Sequence, residues 1–141
     1  MGCRRSRPLH LPGTPISMTL SKHQCIFCHN LAKLILKINE LGFDVKIQEL
    51  NRTVETQKQY VAEGKSKTMN SKHLDKLAVD LVLFKDIELC PKEDYRIVGE
   101  YWESLGGRWG GRFGLEDKPK ETRDKEIGWD NPHFEYKEGM C

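Results

Sequence analysis

The sequence predicts one α+β domain, a small sheet with flanking helices. Three observations carry that expectation. Phe27, Leu31, Leu34, Ile38 and Leu41 recur at three- and four-residue spacing, the apolar stripe of an amphipathic helix. Phe43, Val45 and Ile47 alternate with polar residues, the period of a half-buried strand. Leu77 to Phe84, LAVDLVLF, is an almost continuous apolar run of strand type.

In chain order, a helix is expected from about Ser21 to Leu41, with Thr19 or Ser21 as cap and Gly42 as stop. A strand follows over Phe43 to Leu50. A second helix runs over Thr53 to Ala62, capped by Thr53 and ended by Gly64. Residues 64–71 are polar and small, and read as loop. After the strand at 77–84, Asp86 is placed in a turn. Asp94 to Leu105 reads as helix, and Gly106 to Gly111 as a tight glycine-rich loop. Leu115 to Gly128 lacks periodicity and reads as a mobile surface loop. Trp129 to Tyr136 ends in a short strand.

The 141 residues suit a single domain, with no repeat and no second unit. Residues 1–18 contain three prolines and no helical period, so a disordered extension is expected before a domain at 19–141. That stretch has basic residues but no apolar segment behind them, so it does not read as a signal peptide. No run approaches the 18 or so apolar residues of a membrane span. Net charge is only +2 with both signs interspersed, which argues against nucleic acid as the ligand. A monomer is expected. The five cysteines are odd in number and irregularly spaced, and read as free thiols.

The one charge inside the apolar run is Asp80. A carboxylate in a buried strand needs compensation, by an Arg or Lys in the commoner case, or by a metal cation. His73 precedes it by seven residues. The two have opposite strand parity, so His73 must curl back from the loop that enters the strand. Downstream, Asp130-Asn131-Pro132-His133-Phe134-Glu135 places a carboxylate three residues before a second histidine. Two histidines and one carboxylate with an open fourth position is a common plan for catalytic zinc. Zinc lowers the pKa of bound water toward ~7. An unligated carboxylate nearby, Asp130, can then act as general base and acid. Glu135 either orients a ligand histidine or is an ordinary strand-edge charge.

These residues resemble a known family. Ser71-Lys72-His73 with Leu77-Ala78-Val79-Asp80-Leu81 is similar to the S-x-H-x-x-G-x-A-x-D-L signature of zinc D,D- and L,D-peptidases. That family includes D-alanyl-D-alanine carboxypeptidases, vancomycin-resistance dipeptidases and phage L-alanyl-D-glutamate endolysins. Asp130 to Glu135 resembles the D/E-x-x-H segment that closes the site. Arg52-Thr53, Gln57, Tyr60, Gly64 to Thr68, and Gly106 to Phe113 resemble further segments of the phage-type members. The resemblance spans about Thr19 to Tyr136. It implies a hedgehog-like zinc peptidase fold with a small antiparallel sheet. It implies zinc on His73, Asp80 and His133, with Asp130 as base and Arg52 assisting at the oxyanion. Ser66, Ser71 and Trp109 are expected at the substrate.

The implied substrate is a peptidoglycan stem peptide, cut at L-alanyl-D-glutamate, with D-alanyl-D-alanine as the alternative bond. Such an enzyme is made in the host cytoplasm and acts on the wall after release. The competing class is a non-catalytic wall-peptide binder. Retention of Asp130 favours catalysis. One departure falls at Lys76, where the signature has glycine, so a left-handed backbone there would be strained. Cys25-Ile26-Phe27-Cys28-His29 matches the haem-attachment pattern, but it lies inside the first helical stripe and lacks an export signal.

Overall fold

The computed structural model describes residues 19–141, so the expectation of a disordered extension over 1–18 lies outside the described residues. Helix α1 spans Leu20–Glu40, with the Thr19 side chain accepting from the Lys22 amide at its start. Strand β1, Asp44–Glu49, follows a turn at Gly42, whose φ of 90° suits glycine. Helix α2, Val54–Ala62, is capped by Thr53 as its sequence implies. A 3-10 turn at Lys72–Asp75 leads into β2, Ala78–Lys85, and the two-residue β3, Glu88–Leu89. Helix α3 is Tyr95–Ser104, β4 is Arg108–Trp109, α4 is Lys120–Lys125 and β5 is His133–Glu135.

The five strands form one sheet in the order β1-β2-β5-β4, with β3 paired to β2. Every pairing is antiparallel. Val79, Leu81 and Leu83 of β2 point to one face, where α1 and α3 cover them. Phe27, Leu31, Leu34 and Ile38 come from α1, and Val98 and Trp102 from α3. Phe27, Trp102 and Phe134 meet edge to face, a favourable ring geometry. Asp80, Val82 and Phe84 alternate onto the other face and are only partly buried. The apolar run is therefore buried on one face, not two. Asp80 sits on the open face, and that places the site.

Three local expectations are corrected. Gly106 to Gly111 is not simply a loop, because Arg108–Trp109 pairs with β5 as an edge strand. Residues 115–128 contain the helix α4, held to α3 by Arg96 bonding the Arg123 and Glu126 carbonyls. Its i,i+4 pairs Lys120–Asp124 and Glu121–Lys125 support it where an apolar stripe is missing. Cys25, Cys28 and Cys90 are free thiols, whereas Cys141 is disulfide-bonded. Among the described residues, no helix is long and apolar enough to cross a membrane.

Candidate metal centre and groove

His73, Asp80 and His133 converge on the open face of the sheet. Their ligand atoms all lie within 4.8 Å of one another. Asp80 Oδ1 stands 3.2 Å from His73 Nε2 and 3.2 Å from His133 Nδ1. Strand pairing sets the second distance, since Asp80 and His133 are register partners across β2 and β5. The 3-10 turn sets the first. It carries His73 back over the strand entry, with the Ser71 hydroxyl accepting from the His73 amide.

Each histidine is fixed by an acceptor behind it. His73 Nδ1 donates to the Leu50 carbonyl at 3.1 Å. His133 Nε2 donates to Glu135 Oε1 at 2.8 Å. An acceptor on one ring nitrogen fixes the proton there and leaves the other nitrogen's lone pair for a metal. Both lone pairs then face Asp80. Two nitrogens and one carboxylate oxygen, mutually close and open on the groove side, fit a catalytic zinc position.

Without a cation, the same groups form a charged hydrogen-bonded cluster. Burial works against the Asp80 carboxylate, but hydrogen bonds from His133 and His73 outweigh it and hold the carboxyl far below its usual range. Burial likewise opposes a charged His133, yet its bonds to Asp80 and Glu135 push it up to about 9. Glu135 is held low by His133 and Arg108 despite its burial.

Asp130 lies next to the cluster, its Oδ2 3.8 Å from His133 Nδ1. Burial raises its pKa, and the Asp80 charge adds to that, against the pull of His133, His73 and Arg52. The loop that carries it rests on Gly110. A Cβ at that position would lie 2.0 Å from the Asp130 carbonyl oxygen and 2.9 Å from His133 Cβ, so only glycine permits the approach. The glycine-rich segment is thus the seat of the Asp130–His133 loop.

A groove of about 770 Å³ opens over these residues. Ser66, Ser71 and Arg52 line it. Their polar groups are engaged, however. Arg52 pairs with Glu49, donates to Gln57 at 2.7 Å and stacks on Tyr60. The fully buried Gln57 in turn donates to Ser66 at 2.9 Å and to the Thr68 carbonyl, which braces the 64–70 loop over the groove. Trp109 is corrected. It is fully buried against Gly99 and Gly111, and its indole N–H supports the Asn131 carbonyl from within the core. Trp129, more than half exposed, lines the groove instead.

Arg108, Phe113 and Lys67 fall in segments that resemble the phage-type members, but the sequence gives none of them a role of its own. Arg108 bonds Glu135 and Glu116 and lies 4.4 Å over the Phe113 ring. Phe113 packs between His133 and Trp129, at 5.4 and 5.3 Å between ring centroids. No motif in the sequence marks these contacts. They arise from the pairing of β4 with β5, which a two-residue strand does not announce.

Comparison with known proteins agrees with this architecture. A family model described as phage L-alanyl-D-glutamate peptidase matches residues 19–136. The L-Ala-D-Glu endopeptidase ChiX of Serratia marcescens has a similar structure, with a TM-score of 0.54 and 21% identity over 83% of this chain and 85% of that one. The D,D-pentapeptidase VanY of a VanB-type vancomycin-resistance cassette, solved with Zn(II), gives a TM-score of 0.53 and 20% identity over 78% of this chain and 70% of that one. VanYB in complex with D-alanine-D-alanine gives 0.52 and 21%, over 78% and 68%. The fold is that of these peptidases. Comparison with curated protein sequences gave no significant match.

Proposed function

The chain belongs to the phage L-alanyl-D-glutamate peptidase family, and from that premise we propose that it is a zinc enzyme hydrolysing the L-alanyl–D-glutamate amide of peptidoglycan stem peptides. The observation that carries the zinc reading is the paired orientation of His73 and His133. Each gives one ring nitrogen to a fixed acceptor and turns the other toward Asp80.

In this reading His73, Asp80 and His133 hold the metal. Bound zinc supplies a Lewis acid for the scissile carbonyl and acidifies water to generate a nucleophile at neutral pH. Asp130 takes the water's proton and hands it to the leaving amine. Its position beside His133, together with a pKa raised by burial, suits a group that must both accept and release a proton. Arg52 is proposed to add positive charge near the developing oxyanion, since its charge is felt at Asp130. Its engagement with Glu49 and Gln57 makes it a fixed charge in that role. Glu135 fixes the His133 ring, and Arg108 fixes Glu135. Ser66 and Ser71 contact substrate only from positions already braced by Gln57 and the 3-10 turn.

The bond is tested by mass spectrometry of purified peptidoglycan digested with the zinc-loaded protein. New amino termini on D-glutamate are expected. Products cut only between D-alanines would contradict the assignment and point to the carboxypeptidase branch. Intact stem peptides, bound but uncut, would leave a wall-peptide binder.

A further inference from the structure

Five cationic side chains line the groove: Arg52, Lys65, Lys67, Lys72 and Arg108. Three are matched by carboxylates, Arg52 by Glu49, Lys65 by Glu63, and Arg108 by Glu116 and Glu135. Lys67 and Lys72 meet no carboxylate among the described residues. Of these two, Lys67 is held in place. Its ammonium lies 5.0 Å over the Trp129 ring. Trp129 packs on Phe113, and Phe113 on His133. A line of rings therefore runs from the metal cluster to this ammonium, along the wall that also carries Asp130.

The chemistry of the bond supplies a partner. The scissile nitrogen of an L-alanyl–D-glutamate amide belongs to D-glutamate. Glutamate has two carboxyl groups, and extension of the chain uses one. The other remains beside the cut, either as a free carboxylate or as a neutral amide. We propose that Lys67 is the receptor for this free carboxylate, so that the groove distinguishes stem peptides with free D-glutamate from those whose D-glutamate is amidated. The inference rests on the peptidase reading above and names the substrate form it acts on.

The physical argument is one of exchange. A cation over an exposed ring is held weakly, so little is lost when the ammonium turns from Trp129 to a carboxylate. A charge-assisted hydrogen bond to that carboxylate is stronger, and a neutral amide cannot replace it. The matched pairs elsewhere in the groove cannot offer the same service without leaving a carboxylate of their own unpaired. Lys67 and Trp129 both line the groove, so an ammonium that leaves the ring is already inside it.

The experiment uses two synthetic peptides of the L-alanyl-D-glutamyl type, identical except that the free carboxylate of one is an amide in the other. Cleavage of both is measured with zinc-loaded wild type, K67M and K67R. Binding of the two D-glutamyl product peptides is measured by calorimetry alongside. Wild type is expected to favour the acid by about tenfold in kcat/KM, mainly through KM. In K67M that ratio falls toward one, and K67R retains most of it. A general structural effect would lower both substrates together and leave the ratio intact, which overturns the proposal. Cleavage of both peptides at equal rates by wild type also overturns it, while the peptidase reading stands. If neither is cut but wild type still binds the acid product more tightly and K67M does not, the Lys67 role stands and the peptidase reading fails. If neither is cut and neither is bound selectively, both fail.

Discussion

Asp80 and His133 face each other as register partners on β2 and β5, with Asp80 Oδ1 3.2 Å from His133 Nδ1. The same oxygen is 3.2 Å from His73 Nε2. One carboxylate oxygen thus gathers two histidines that are 60 residues apart in the chain. Losing that carboxylate should be the most damaging single change to metal binding. D80N keeps the shape and removes the charge. It is expected to weaken zinc binding by more than the roughly 10–100-fold typical of an outer hydrogen-bonding partner. Competition with a coloured chelator measures this directly.

The zinc-free protein should show a stability window set by the same cluster. His133 is raised from its ordinary 6.5 to about 9, so its contribution is complete below 6.5 and is lost as pH rises through 9. Asp80 is lowered from 3.8, so its contribution is present above that value and is lost as pH falls below it. Thermal melts of zinc-free protein should therefore peak between about pH 4 and 6.5. Zinc needs a neutral His133, so binding at pH 7 should release a proton. Calorimetry in buffers of different ionisation heat counts it.

Glu135 and Arg108 form a relay behind His133, at 2.8 and 3.4 Å. E135A should weaken zinc binding about 10–100-fold. R108M should have a smaller effect, because Arg108 does not touch His133 and its charged contact with it runs through Glu135. In an E135A background the R108M effect on zinc affinity should vanish, as a double-mutant cycle can measure. An undiminished R108M effect in that background would mean that Arg108 acts elsewhere.

Among the described residues, three exposed non-glycine positions have positive φ, Lys76, Asp86 and Ile87, and of these aspartate is the one that tolerates it. Lys76 ends the 3-10 turn at φ 56° and ψ 38°, the left-handed region. Ile87 sits at φ 66° in the β2–β3 turn, almost fully exposed, and a β-branched residue is costly there. K76G and I87G should each stabilise the fold by about 0.5–1 kcal/mol, the relief of left-handed strain less the added freedom of the unfolded chain. Denaturant midpoints at unchanged slope would show it.

The legible parts of this protein were those with local periods or motif spacing. The α1 stripe, the alternation of β1, the Thr53 cap and the apolar β2 can all be read directly from neighbours in sequence. So could the trio His73, Asp80 and His133, though their convergence depends on pairing across 53 residues. Asp80 lies on the open face of a sheet buried on one side, so it is desolvated only in part and can be reached from the groove. Trp109 misled because a tryptophan among glycines suits a binding loop, whereas here the glycines make room for its ring in the core. The contacts that join Arg108, Phe113, Trp129 and Lys67 into one wall are not legible in the sequence, because each joins segments with no shared period.

The central claim is that zinc on His73, Asp80 and His133 works with Asp130 to cut the stem peptide. Release of free amines from purified peptidoglycan tests it most directly, using wild type before chelation, after chelation and after zinc is restored, with D130N alongside. Wild type should lose activity with the metal and regain it with zinc. D130N should bind zinc normally and cut about 10²–10⁴-fold more slowly. Amine release that survives both chelation and D130N would contradict the account.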